Sequence, residues 1–366
     1  MRIALFGSFP PRKGGIETFL AAFAPTLVRR GHEVLVISDA DADLDEPREG
    51  GYRVIGSPMT KPMQDMDVQR ISDTAKKIGG AIGAFAPDIL HFHPSGPELM
   101  ILEIATRGVG HIPQVMTLHS TAFGDDKSVT MLRFLQRAAR VTAVSPSTAN
   151  ALGPGGKAAA GAVEVINNAL PPGPQPQSYP DDLHILGMGR LSPEKGFDTL
   201  IRAMRVVQER CPGCTLTLAG IGPELQRLRR LAQDILPHPD QVIFPGWVDG
   251  HNKRELLDKS RMLVVPSVWE EPFGLVVLEA AQAGRPVIVT ERGALPHIAP
   301  HNVSGLVVPA EAPLAMAEAI LELLNEPKRA ASLGETAHSR ALKLHDHDLM
   351  MDHYEYILRA AATKPC

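Results

Sequence analysis

Residues 264–289 read VVPSVWEEPFGLVVLEAAQAGRPVIV, and they place two carboxylates in an otherwise apolar setting. Glu271 stands directly before Pro272, where a helix N-cap acceptor sits when proline takes the first helical position. Glu279 falls within 275–283, a segment apolar on nearly every face, which predicts a buried helix. A carboxylate there is costly unless something hydrogen-bonds it. On a helix rising 1.5 Å per residue, this spacing separates the two acceptors by roughly 10–12 Å along the axis. Such a pair could hold the two ends of an elongated, hydroxyl-rich ligand, with the helix N-terminus between them favouring an anion such as phosphate. Taken alone, Glu271 could equally be only a cap, and Glu279 a buried glutamate satisfied by backbone. Glu270 is the less apt ligand, because Glu271 directly precedes Pro-Phe-Gly.

Three other stretches carry chemistry. Gly187-Met188-Gly189-Arg190-Leu191-Ser192-Pro193-Glu194-Lys195-Gly196 sets two cations among glycines at a predicted strand end, which suits a diphosphate. Gly220-Ile221-Gly222-Pro223 is either a phosphate nest or a tight strand–helix turn. Pro245-Gly246-Trp247-Val248 could hold a nucleobase on exposed backbone or ring, and a packed tryptophan accounts for it equally well. His119 ends an apolar strand, as buried core histidines also do, and His93 alternates with Phe92. Ser145 reads as an N-cap.

The elements that must position these residues alternate. In the first half, strands over 2–7, 32–38, 52–55, 88–93, 113–119, 141–145 and 162–166 are separated by helices near 16–30, 68–85, 98–107, 127–139 and 146–152. Alternation at this spacing predicts a doubly wound parallel sheet. Residues 171–180, PPGPQPQSYP, hold five prolines and predict a stiff linker. The alternation then restarts, with strands over 183–189, 215–219, 242–244, 262–265, 287–290 and 305–308. The expected domains are 1–170, joined by the amphipathic helix within 347–366, and 181–346, two doubly wound Rossmann-like units facing a cleft. Ligands of such folds bind beyond the carboxyl ends of the strands.

Composition narrows the class. The chain has 366 residues, 44% of them hydrophobic, and a net charge of −4, which gives no nucleic-acid bias. No N-terminal h-region and no membrane-spanning run are present, so the cytoplasm is the expected location. Cysteines 211, 214 and 366 do not make a disulfide framework. Cys211 and Cys214 have redox spacing but fall between a helix exit and a strand entrance. The acidic run 39–46 contains overlapping Asp-x-Asp and reads as a solvated loop rather than a metal site. Arg133, Arg137 and Arg140 on one helical face could touch an anionic membrane or acceptor, although an ordinary amphipathic helix accounts for them too.

Together these motifs resemble retaining glycosyltransferases of family 4, which have the GT-B fold. The matching features are Gly14-Gly15, Thr117-Leu118-His119, Gly189 through Gly196, Gly220-Ile221-Gly222-Pro223, Phe244 through Val248, and Pro266-Ser267 through Glu279. The resemblance implies that Arg190 and Lys195 bind the donor diphosphate and stabilise the leaving group. It implies that Glu271 binds donor-sugar hydroxyls and Glu279 the ribose. The amides of Phe273, Gly274 and Leu275 would assist, Gly14, Gly15, Gly189 and Gly222 would admit backbone to phosphate, and Trp247 and Val248 would meet the base. His119 would lie by the transferred sugar. The implied reaction moves a hexose-type sugar from a nucleotide-diphosphate sugar to an unidentified acceptor without metal or other cofactor. The family's Pro-Asn-Gly run is replaced by Ile166-Asn167-Asn168-Ala169. A nucleotide-sugar epimerase of the same architecture is the alternative. A dinucleotide oxidoreductase would need G-x-G-x-x-G after the first strand, and that motif is missing. Intact Arg190, Lys195, Glu271 and Glu279 argue against a silent binding relative.

Overall fold

A computed structural model of the chain describes residues 1–9, 14–41, 43–94, 96, 98–121 and 129–363. The expected helix start at Lys127, the loop residues 10–13 and Ala42 lie outside these. The chain divides into two compact units, Met1–Asn168 with His347–Cys366, and Ala169–Asp346.

The first unit is built on β1 (Arg2–Gly7), β2 (Glu33–Asp39), β3 (Leu44–Arg48), β4 (Tyr52–Ser57), β5 (Ile89–His93), β6 (Gln114–Leu118), β7 (Arg140–Ala143) and β8 (Val163–Val165). Their order across the sheet is β3-β4-β2-β1-β5-β6-β7-β8, all parallel except the edge strand β3. Strand alternation assigns the two faces. Phe92 stacks on Phe6 with ring centroids 4.5 Å apart, in a core with Phe134. His91 and His93 point to the other face, which helices Gly15–Arg29 and His347–Ala362 cover with Phe19, Phe23 and Tyr354. The second of these helices buries Met350, Met351, Tyr354, Ile357, Leu358 and Ala361, a helical stripe. Arg30 holds its polar side through Asp348 (3.1 Å) and Glu355 (3.0 Å).

The acidic run is not simply a solvated loop. Its second half is β3, where Asp45 pairs with Arg53 across the strands, and Asp43 lies 2.8 Å from Lys77. Asp39 accepts the Met59 amide at 2.7 Å. Opposite charges facing each other on a hairpin are what make this charged segment pair as an edge strand. The three arginines do not share one helical face either. The helix is Val129–Arg137, Arg140 begins β7, and Arg133 and Arg137 lie 3.5 and 3.6 Å from the Glu103 carboxylate.

The second unit contains β9 (His184–Met188), β10 (Thr215–Ala219), β11 (Val242–Gly246), β12 (Met262–Val265), β13 (Val287–Thr290) and β14 (Gly305–Val308). The sheet order is β11-β10-β9-β12-β13-β14, with every pairing parallel. Strand order therefore reverses between β9 and β12, the switch point at which doubly wound sheets open a ligand crevice. Ile185, Leu216, Leu218, Met262 and Val264 pack under helices Phe197–Arg210 and Pro313–Asn325. Leu186, Leu263, Val265, Val287 and Val289 pack under helix Leu275–Gln282. Cys211 and Cys214 form a disulfide in the turn from helix Phe197–Arg210 to β10.

The stretch 171–180 is not a free spacer. It belongs to the second unit, where Arg254 donates to the carbonyls of Pro174 and Gln175, both at 2.9 Å. Arg285, only 1% exposed, reaches the carbonyls of Gln177 (3.3 Å) and Ser178 (3.1 Å). It also binds those of Asp258 (2.9 Å) and Leu257 (3.1 Å). Tyr179 lies beneath the guanidinium groups of Arg261 and Arg285. Proline removes backbone donors and leaves acceptors, and arginines fill them.

Candidate functional site

The loops that follow β9, β10 and β12 are stitched together by backbone. Gly189 and Leu191 donate to the carbonyls of Ala219 and Ile221, at 3.0 and 2.9 Å, and Val268 donates to that of Glu194 at 3.0 Å. The glycines allow this approach. A Cβ on Gly220 would stand 1.8 Å from the Gly189 carbonyl, one on Gly222 2.1 Å from that of Leu191, and one on Gly196 2.1 Å from that of Pro266. Close packing is thus sufficient reason for Gly220 and Gly222. Gly196 also turns the chain at φ +65 into helix Phe197–Arg210 and delivers Lys195 to the β12 loop.

There Lys195 meets Glu271. The ammonium donates to Oε1 at 2.9 Å and to Oε2 at 2.8 Å. Oε2 also accepts from Ser267 Oγ at 2.9 Å and Trp269 Nε1 at 3.0 Å, and the ammonium sits 5.3 Å from the Trp269 ring centroid. Glu271 is 7% exposed. All three partners donate to the carboxylate, and of these only the Ser267 hydroxyl has lone pairs of its own. Glu270 instead turns outward and takes the Gly293 amide at 2.8 Å.

Glu271 is therefore not a helix cap, as its place before Pro272 suggested. The helix begins at Leu275 behind Gly274, which caps it at φ +98 with no side-chain hydrogen bond. The carboxylate is drawn away to Lys195, Ser267 and Trp269, and the Glu271 carbonyl accepts the Ala294 amide at 2.9 Å. Residues 271–274 are not helical, so a separation from helical rise does not apply to the two glutamates. The amides of Phe273, Gly274 and Leu275 donate to none of the described residues, at a helix end that favours anions. Phe273 itself is buried edge-on against His345.

Glu279 lies on the next two turns, with its side chain 12% exposed. Lys253, from helix Gly250–Lys259, donates to its Oε1 at 2.8 Å, while Oε2 is buried without a hydrogen-bond partner among the described residues. A buried carboxylate oxygen left open is costly unless a ligand donor completes it. Lys253 follows the half-buried Trp247 and Val248 on the next helix, so the β11 loop and Glu279 are joined through it. Arg190 is exposed beyond β9; its carbonyl accepts the Ser192 amide at 3.0 Å, and its guanidinium has no hydrogen bond to any described residue.

His119, in the first unit, is 8% exposed and its Nε2 lies 2.8 Å from His93 Nδ1. His91 bonds Thr117 Oγ1 at 2.7 Å, and Thr117 bonds Thr142 at 2.8 Å. Burial pushes both His91 and His119 down to about 3 and holds His93 well below the ordinary imidazole value. All three are neutral near pH 7, so His119 can offer a hydrogen bond but no positive charge. Gly14 caps helix Gly15–Arg29, and its carbonyl accepts the Thr18 amide and hydroxyl at 3.1 and 2.9 Å.

The second unit thus gathers Arg190, Lys195, Glu271, Glu279 and the three amides on loops and a helix beyond the strand ends. Ser267, Trp269 and Lys253 carry the network without having been singled out from sequence. Ser267 and Trp269 lie inside the quoted motif, whereas Lys253 lies on an otherwise unmarked helix. No helix among the described residues is long and apolar enough to cross a membrane.

Comparison with known proteins bears on this arrangement. Residues 174–340 match the family described as glycosyl transferases group 1, and residues 13–172 match glycosyltransferase family 4. A GDP-mannose-dependent alpha-(1-6)-phosphatidylinositol monomannoside mannosyltransferase of Mycobacterium tuberculosis is 30% identical, over 89% of each chain. The fold is similar to that of a sucrose-phosphate synthase from Thermosynechococcus elongatus, with a TM-score of 0.82 at 22% identity over 98% of each chain. It is also similar to Anabaena HepE in complex with UDP-glucose, with a TM-score of 0.77 at 20% identity, covering 98% of this chain and 99% of that one.

Proposed function

This chain belongs to the group 1, family 4 glycosyltransferases and transfers a sugar from a nucleotide sugar, and from that premise we propose how its residues divide the work. The observation that supports the division is the set of polar groups at the β9–β12 switch point that no described residue engages: the Arg190 guanidinium, the amides of residues 273–275, and Oε2 of Glu279. An elongated ligand with a central diphosphate satisfies all of them. The diphosphate lies between Arg190, Lys195 and the helix N-terminus, which neutralise the charge gathering on the leaving group. Glu271 accepts from hydroxyls of the transferred sugar, and Glu279 from the ribose. Trp247 and Val248 border the base, and Gly189 and Gly222 keep backbone close to the phosphates.

The sugar is a hexose, transfer proceeds with retention of configuration, and no metal takes part, because the fixed cations and amides already supply the leaving-group stabilisation. The mannosyltransferase relative makes GDP-mannose the first donor to test, with a hydroxyl on a glycan, a lipid-linked glycan or a small molecule as acceptor. None of the relatives described above is named as an epimerase. A thermal-shift panel of GDP-, UDP-, ADP- and dTDP-sugars tests the reading, since a ligand at about a hundred times its Kd adds about 2.7 kcal/mol of stability. Stabilisation is expected from at least one, and is weakened in Glu279→Ala. No stabilisation by any of them would refute the donor site.

A further inference from the structure

Within that donor-site reading, Trp269 touches both members of the Lys195–Glu271 pair and has no role assigned by the motifs. Its indole N–H is 3.0 Å from Glu271 Oε2, and its ring lies beneath the Lys195 ammonium, 5.3 Å from the centroid. The two oxygens of Glu271 are not equivalent. Among the described residues, Oε2 accepts from Lys195, Ser267 and Trp269, whereas Oε1 accepts from Lys195 alone. A carboxylate oxygen with three donors has no open lone-pair direction, and one with a single donor has.

Ser267 is held in turn. It is fully buried, and its carbonyl accepts the Thr290 hydroxyl at 2.6 Å. The donors around Oε2 therefore stand on the β12 loop and do not move independently. Lys195 has three donor directions, two of them directed at Glu271, and the ring face beneath it fixes how the third is aimed.

We propose that Trp269 is a positioning residue of the donor site: its N–H occupies Oε2 of Glu271 and its ring seats Lys195, so that Oε1 and the remaining lysine N–H are presented together, one to a sugar hydroxyl and the other to a phosphate oxygen. This predicts that the two halves of a nucleotide sugar feel different parts of one side chain. The ring alone serves the phosphate end, and the N–H serves the sugar end.

Two substitutions separate the halves. Trp269→Phe keeps an aromatic face and removes the N–H, while Trp269→Leu removes both. The probes are GDP, UDP, ADP and dTDP, which lack the sugar, and GDP-mannose, UDP-glucose, ADP-glucose and dTDP-glucose, which carry it, titrated calorimetrically. For the nucleotide that the wild-type protein binds, Trp269→Phe should leave nucleoside-diphosphate affinity within about threefold and weaken the nucleotide sugar about tenfold, the cost of one hydrogen bond to a charged group. Trp269→Leu should weaken both. Equal effects on both probes in Trp269→Phe, or none, would overturn the inference while leaving the donor site standing. A wild-type protein that binds none of these diphosphates or nucleotide sugars would overturn the donor-site reading, and this inference with it.

A second measurement needs no ligand. The chain has two tryptophans, so ¹⁵N-labelling gives two indole N–H resonances, and Trp247→Phe assigns them. Glu271→Gln should move the Trp269 resonance upfield as its partner loses charge, and leave that of Trp247 in place. An unmoved Trp269 resonance would show that the hydrogen bond is missing and would refute the proposal.

Discussion

Lys195 and Glu271 should behave thermodynamically as one group. Glu271→Gln leaves the ammonium beside a neutral amide, with the lysine side chain only 22% exposed. Removing one partner of a buried pair costs about 3–5 kcal/mol, and the residual exposure of the lysine places this loss near the lower end, about 3 kcal/mol. Lys195→Met is milder, about 2 kcal/mol, because the carboxylate keeps Ser267 and Trp269 as donors. The double variant holds no charge at all. A neutral amide can still bond Ser267 and Trp269, so its loss should be about 3 kcal/mol rather than the sum of about 5. The coupling is then roughly 2 kcal/mol. In a unit of 178 residues (169 through 346), each kcal/mol moves the melting midpoint about 2–4 °C. Glu271→Gln should therefore melt about 6–12 °C low, and the double variant no lower. Differential scanning calorimetry of the full chain reads all four proteins. A double variant whose loss equals the sum of the singles within about 0.5 kcal/mol would show that the pair is not coupled.

Transfer activity should survive excess EDTA, with no gain from Mn²⁺ or Mg²⁺; loss in EDTA with recovery on adding either ion would sink the metal-free reading. The first unit should lose stability in acid. His91 and His119 bind protons at about 3 when folded but at about 6.5 when unfolded, so the unfolded chain holds more protons between those values. Their contribution is complete above about pH 6.5 and is lost as the pH falls toward 3, about 2 kcal/mol per histidine at pH 5. Urea titrations followed by circular dichroism should show this decline, and His91→Asn should flatten it; equal stability at pH 5 and pH 7.5 would contradict the argument. Arg285→Leu should cost about 3 kcal/mol, since it strips a fully buried donor from four carbonyls, and should open 171–180 to protease. Wild-type protection of that stretch, mapped by mass spectrometry after limited proteolysis, would rule out the arginine clamp.

Local pattern determined a great deal. Strand and helix periods, glycine turns and proline punctuation give the two parallel-sheet units and most elements within a residue or two, because the periodicity of burial is written in consecutive residues. It also marks the residues beyond the ends of β9 through β12. Edge strand β3 escaped because it is acidic, and its pairing depends on Arg53 and Lys77, which lie in other elements. The stretch 171–180 read as a spacer because its partners, Arg254 and Arg285, are distant in sequence. Partner choice at the site was likewise invisible. Nothing local shows that Glu271 takes Lys195, separated by 76 residues, instead of capping its own helix, or that Lys253 occupies one oxygen of Glu279 and leaves the other open. A side chain's hydrogen bonds are settled by which donors the sheet order brings beside it, and that order exists only once strands far apart in the chain have paired.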